Sequence, residues 1–428
     1  MRRTSHLFTI PLAALLVAAC GSSKTTTVTS HAYGHHDTDK ADTANFVSVY
    51  PNTVGTRLDS CQTCHKSFVF SKVKSTGTQY TPKSVCDYCH MVKWPDMNTD
   101  GTIKLYDNAA QPTSIADTLN VYGVAYRDSG KTPQALRDIA GQDTDGDGHR
   151  NADEIAAGRY PGDPNSNPAL QFGPRQIKTV AEVQAMPVHS EFLLSNSQKQ
   201  KYDNYALYKG VKITEFLAAM GLDPHDARIT GVTVIAPDGF TTTFPRQEAV
   251  TVDSEQYWYD AAFPPGQFYG GLDTSEPPSG LGTSCGFVEY PNPIPVDRIG
   301  PDGITIQDEQ WLLLAYERDG LALDTAYIDP ANLRLNGEGP LRLIVPQKMP
   351  GKPDRGSQAS PTNCGDGYDW DQYGGLDHNA GSAVRGVMAI RIDAVEGAMP
   401  AYEEFDYQNG GYDYLARGEL VVFGYGIQ

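Results

Sequence analysis

Two short stretches constrain this chain more than any other feature: Cys61-Gln62-Thr63-Cys64-His65 and Cys86-Asp87-Tyr88-Cys89-His90. Each places two thiols and an imidazole side by side, the attachment pattern for c-type haem. Thiols at this spacing add across the two vinyl groups of a porphyrin while the next residue reaches the iron. Cys61, Cys64, Cys86 and Cys89 are therefore expected to form thioethers, with His65 and His90 as axial ligands. A zinc ribbon of two Cys-x2-Cys knuckles is the alternative, but zinc does not require a histidine after each knuckle. Pro51, Gly55, Gly77, Pro82 and Pro95 punctuate the surroundings, as in a loop-rich module. Such a module would fold around its porphyrins, so the stretch from Phe46 to Met97 is expected to be poorly structured without haem.

The second axial ligand decides whether an iron only carries electrons or also binds a reactant, and the sequence leaves it open. His31, His35 and His36 in a polar N-terminal segment are candidates, as is His378 within Tyr373-Gly374-Gly375-Leu376-Asp377-His378-Asn379. His378 would clamp the haem module onto the C-terminal part. His189, His225, Met91 and Met97 are further candidates.

Arg2 and Arg3 precede an apolar stretch, Leu7 to Val17, that ends in Val17-Ala18-Ala19-Cys20-Gly21. The stretch is too short for a bilayer core of roughly 30 Å, so residues 1–20 are read as a signal peptide. Small residues before Cys20 resemble the lipobox of bacterial lipoproteins, which implies a lipid on Cys20 and attachment to the membrane through it. Residues 21–45, rich in Ser, Thr, His and Asp, form a flexible tether. The expected location is the cell envelope, at the periplasmic face or outer surface of the outer membrane. A net charge of −18 argues against nucleic acid or anionic lipid as a partner, since the summed field would repel both. Of seven cysteines, the lipid and the haems leave Cys285 and Cys364, which an oxidising compartment lets pair as a disulfide.

The run Asp143-Thr144-Asp145-Gly146-Asp147-Gly148-His149-Arg150-Asn151-Ala152-Asp153-Glu154 matches an EF-hand-type calcium loop. Side chains of Asp143, Asp145, Asp147, Asn151 and Glu154 would supply oxygens, and His149 its main-chain carbonyl. His149 is thereby better read as a loop residue than as a haem ligand. Helical patterns flank the loop, Thr132 to Ile139 before it and Asp153 to Gly158 after it. Extracellular modules of this kind bind calcium weakly, so the metal is expected to stiffen a joint over 131–168, closed by the Pro-rich run Pro161 to Pro168.

Beyond residue 179 the pattern changes to strands with a few helices. Ile213 to Met220 reads as a helix, Ile229 to Ala236 as a strand, and Glu419 to Phe423 as a last strand ended by Gly424. Tyr208 to Leu217, Val232 to Phe240, Leu313 to Gly320 and Gly339 to Pro346 occur in an order that resembles the sulfite-oxidase-like molybdopterin-binding fold. With both haem motifs and the tetrapeptide Gly337-Glu338-Gly339-Pro340, the whole chain resembles the GEGP-motif diheme proteins of bacteria. In the molybdenum enzymes a metal-binding cysteine precedes the segment equivalent to Tyr208–Leu217. Ser195 to Asn204 contains none, so molybdopterin is not expected. Glu338 reads as a turn carboxylate rather than a buried acid gating protons. Tyr-Gly-Gly-Leu-Asp occurs twice, at Tyr269 to Asp273 and Tyr373 to Asp377, and suggests packed aromatic loops.

The fold expected is α+β: a loop-rich diheme cytochrome c module over 46–130, the calcium joint over 131–168, and a mixed domain over 179–428. The function expected is electron transfer through two haem c groups, with calcium as a further cofactor. Partners would be redox proteins or a larger cytochrome complex. A haem-containing molybdopterin-type oxidoreductase is the alternative.

Overall fold

The computed structural model describes residues 41–59, 61–65, 72–73, 79–80, 115–197, 203–237, 240–247, 257–268, 288–289, 304–305, 309–329, 334–351, 353, 375–403 and 418–427. The chain is α+β, with one helical unit followed by sheets.

The helical unit contains α1 (Ala41–Val49), α2 (Val121–Asp128), α3 (Pro133–Ile139) and α4 (Asn151–Ala156). Local chemistry starts two of them. Asn120 caps α2 by accepting from the Gly123 N–H, and Thr132 caps α3 by accepting from that of Ala135. Pro133 adds a φ preset for the first helical position. Phe46, Leu58, Tyr122, Leu136, Ile139 and Tyr160 belong to one buried cluster, each fully buried apolar side chain contributing roughly 1.5–3 kcal/mol. Phe46 and Leu58 thus share a core with the helices that follow residue 120. The same cluster spans residues 130 and 131, where the haem module and the calcium joint were expected to part.

The second unit carries β1 (Gln171–Phe172), β2 (Arg175–Thr179), α5 (Val180–Gln184), β3 (His189–Ser195), β4 (Asp203–Lys212), α6 (Ile213–Ala219), β5 (Ile229–Ile235) and β6 (Thr241–Pro245). It continues with β7 (Val288–Glu289), β8 (Leu313–Arg318), β9 (Leu321–Ala322), β10 (Arg342–Ile344), β11 (Val384–Arg385), β12 (Ala389–Ala394), β13 (Tyr402–Glu403) and β14 (Glu419–Gly424). One sheet runs β7-β4-β8-β10-β11, with β3 also on β4 and β9 on β8; another runs β2-β14-β12-β5-β6. β12 and β14 are parallel, and the other neighbours in that sheet are antiparallel.

A side-chain period of two sorts these strands into layers. Along β8, Leu314 and Tyr316 enter the main core while Leu313 and Ala315 join Tyr208 on the other face. Along β14, Leu420 and Val422 enter it while Val421 and Phe423 pack with Met388. The main core thus holds alternate residues of both sheets, together with Ile213, Phe216 and Leu217 of α6. The expected helix from Ile213, the strand from Ile229 and the last strand are all present, and Gly424 closes β14 with φ +103°. No helix among the described residues is long and apolar enough to cross a membrane.

Candidate functional site

The first Cys-x-x-Cys-His segment is a single turn of 3-10 helix, Cys61–Thr63, seated against the start of α2. Its backbone carbonyls would otherwise be stranded in a partly buried place, and Asn120 meets them. The Asn120 side chain donates to the carbonyls of Gln62 (3.1 Å) and Thr63 (3.2 Å), and its main-chain N–H donates to that of Cys64 (3.0 Å). The same side chain accepts from Gly123 N–H at 2.8 Å, so one residue both caps α2 and holds the motif. Only glycine fits at position 123, since a Cβ there would lie 2.0 Å from the Cys64 carbonyl oxygen. On the other side, the Thr63 hydroxyl donates to the Leu58 carbonyl at 2.7 Å.

His65 forms an antiparallel bridge with Leu119, and its Nδ1 lies 2.7 Å from the Thr118 hydroxyl oxygen. Cys64 is half-buried and packs against the helical core. Burial, and then the neighbouring Cys64 thiol and Tyr50, push the Tyr122 phenol well above its ordinary range. The donor set would suit a covalently attached porphyrin: a thiol packed against the helical core and, beside it, an imidazole engaged through Nδ1.

The other predicted haem and lipid residues lie outside the described residues: Cys20, His31, His35, His36, Cys86, Cys89 and His90, with Met91 and Met97. So does the pair Cys285 and Cys364. His189 Nε2 lies 3.3 Å from Glu191 Oε1 on β3, and the exposed His225 lies 3.7 Å from Asp260. The His378 side chain is only 2% exposed, with Nδ1 3.5 Å from Asp377 Oδ1, so it sits in the interior of the sheet unit.

The acidic loop between α3 and α4 brings Asp143, Asp145 and Asp147 together, one oxygen of each within 4.8 Å of the others. Main-chain N–H groups shape it. Asp143 accepts from Gly146 (2.8 Å) and Gly148 (2.9 Å), and Asp147 from His149 (2.8 Å). Gly146 has φ +82°, a left-handed conformation that glycine adopts without strain. Glu154 is fully buried, and among the described residues neither of its carboxyl oxygens has a hydrogen-bond partner; one oxygen each of Asp145 and Asp147 is in the same condition. Burial, then Asp145, Asp147 and Asp143, push the Glu154 pKa up to about 9. Burial and then Asp147 push Asp145 up to about 6. Buried oxygens without donors call for a proton or a cation, and the set is of the hard oxygen type that calcium takes.

Asn151 has a different duty from the one expected. Its Oδ1 accepts from the Thr144 hydroxyl (2.9 Å) and N–H (3.3 Å), and its Nδ2 donates to the Ile139 carbonyl (2.8 Å). Helix α4 begins at Asn151, two residues ahead of the expected pattern, which turns this side chain back to brace the loop.

One further charged cluster carried no sequence motif, and another surrounds Glu338 of the Gly-Glu-Gly-Pro motif. Glu403 on β13 is buried between Arg159, just after α4, and Arg57, four residues before Cys61; the Arg57 contact is 2.6 Å. Arg159 also stacks over Phe172 at 3.6 Å. β13 pairs with β1, so this carboxylate joins the sheet unit to the helical one. Glu338, in the Gly-Glu-Gly-Pro turn, lies 3.0 Å from Arg318 and 2.8 Å from Arg342. Burial raises its pKa, but the two guanidiniums outweigh that and hold it below the usual carboxylate range. Glu338 is therefore an ion-paired carboxylate at neutral pH.

Asn120 could have been suspected as a helix N-cap from its place before an amphipathic stretch; Thr118, Arg57, Arg159 and Glu403 carried no such mark. No protein-family model, curated protein or solved structure matches this chain.

Proposed function

We propose that this chain is an exported, lipid-anchored diheme c-type cytochrome that passes electrons between redox partners at the bacterial cell envelope. One observation carries the reading: the Cys61–His65 motif is held on a built seat, with Cys64 packed against the helical core, Asn120 bonded to the motif's carbonyls and His65 engaged through Nδ1. In that arrangement Cys61 and Cys64 would hold one haem and Cys86 and Cys89 another, with His65 and His90 on the irons. Each haem would supply a one-electron couple, and the protein would supply axial ligands, burial and a docking surface. The distal ligands would come from among His31, His35, His36 and His378.

A calcium ion is part of this reading. Asp143, Asp145, Asp147 and Glu154 would hold it through carboxylates and His149 through its carbonyl, with Asn151 bracing the loop. Its place between α3 and α4, whose residues share the core with Phe46 and Leu58, suits a structural cation.

For the C-terminal unit we take the sulfite-oxidase-like fold without molybdenum, within the GEGP-motif diheme family. In support, Tyr208–Lys212, Leu313–Arg318 and Arg342–Ile344 lie on neighbouring strands of one sheet. No thiolate is encoded between Ser195 and Asn204, which favours an electron carrier over an oxidoreductase.

The test is the haem and metal content of the purified lipoprotein, by pyridine haemochrome, intact mass and elemental analysis. Two haem c groups with calcium and no molybdenum are expected, and Cys61→Ser/Cys64→Ser or Cys86→Ser/Cys89→Ser should each remove one haem. Zinc without haem would overturn the proposal, and stoichiometric molybdenum would favour an enzyme.

A further inference from the structure

We infer that Thr118 is a positioning residue for His65, holding the imidazole through Nδ1 and setting the reduction potential of the haem attached at Cys61 and Cys64; this rests on the haem reading above. Thr118 is fully buried, with its hydroxyl oxygen 2.7 Å from His65 Nδ1. A histidine that binds iron through Nε2 keeps its lone pair there, so its proton sits on Nδ1. That makes the Thr118 oxygen the acceptor.

Acceptor and ring are referenced to one piece of backbone. Leu119, next to Thr118, bridges to His65, and Asn120 holds the carbonyls of Gln62, Thr63 and Cys64. The hydroxyl therefore cannot shift relative to the motif without breaking these contacts. An acceptor on the outer ring nitrogen orients a histidine ligand and raises its basicity. A more basic imidazole stabilises ferric over ferrous iron, so the hydroxyl lowers the potential of this haem. Since the contact is to His65, one of two haems is affected.

The experiment uses the full-length holoprotein and compares wild type with Thr118→Val, close in shape but without an acceptor, and Thr118→Ser, which keeps the oxygen. Intact mass and pyridine haemochrome count the haems, and a potentiometric titration resolves two one-electron components. In Thr118→Val one component is expected to favour the ferrous form about tenfold more, ~59 mV for one electron, with the other unmoved. Thr118→Ser should keep the wild-type potentials. Unchanged components in Thr118→Val with both haems attached would overturn the inference, and so would an equal shift of both. If Thr118→Val fails to accumulate, Thr118→Cys, a weak acceptor of similar size, gives the same reading: a rise in one component supports the inference, and none overturns it. Wild-type protein without haem overturns the haem reading itself, before any variant is compared.

Discussion

Stripping the cation from the Asp143–Glu154 loop should destabilise the helical unit by an amount that can be worked out. Extracellular modules of this type bind calcium with Kd of about 10⁻⁴–10⁻³ M. At ~10 mM calcium, mass action then adds about 1.4–2.7 kcal/mol of stability. A unit of this size gains roughly 4 °C per kcal/mol, so the unfolding midpoint should rise by about 6–11 °C between EGTA and calcium. The pH dependence follows from Glu154, whose pKa is pushed up to about 9 from its ordinary 4.5. Without cation, the folded state keeps a proton that the unfolded chain releases. That stability is present in full below the unfolded value and lost as pH rises through the folded one. The chelated protein should therefore lose midpoint steadily from about pH 5 to pH 9, and the calcium-loaded protein should not, since the cation takes the place of the proton. Asp145, raised to about 6, adds a smaller slope at the acid end. Glu154→Gln cannot ionise, so its chelated midpoint should be flat above about pH 6 and its calcium increment much reduced. Differential scanning calorimetry in EGTA, calcium and magnesium reads all of this. Equal calcium increments in wild type and Glu154→Gln, or none in wild type at any pH, would refute the assignment.

Glu403→Gln strips the carboxylate charge from beside Arg159 and Arg57, whose side chains are 6% and 17% exposed. Removing one partner from a buried charge pair costs roughly 3–5 kcal/mol, measurable as a lower denaturant midpoint and faster proteolysis between the helical and sheet units. Gly123→Ala drives a methyl into the Cys64 carbonyl and should unseat the first motif, so that the haemochrome falls from two haems to one while the second motif is still loaded. Glu338 is ionised in the folded state below its ordinary range, so it stabilises above the unfolded pKa and that contribution is lost as pH falls through the folded one. Glu338→Gln should therefore blunt acid destabilisation below about pH 4.5 in thermal melts.

Much of the fold was legible along the chain because it rests on short-range rules. Asn120 and Thr132 cap helices three residues away, the period of two sorts Leu313 from Leu314, and the acidic loop draws its oxygens from a dozen consecutive positions. The Cys-x-x-Cys-His motifs stand out for the same reason: the two thiols and the imidazole lie within five consecutive positions. Asn151 marks the limit of that rule. Its place in the loop suggested a ligand, but an earlier helix start turned it toward Thr144.

What tertiary structure alone decided lies at large sequence separation. Thr118 reaches His65 across 53 residues, and Arg159 reaches Glu403 across 244. Glu338 lies between guanidiniums carried on β8 and β10, which meet only because those strands pair in register. Composition and spacing determine which local conformations and covalent attachments a segment can adopt. Which distant side chains then meet depends on how strands register and helices close over a shared core, and no local pattern encodes that.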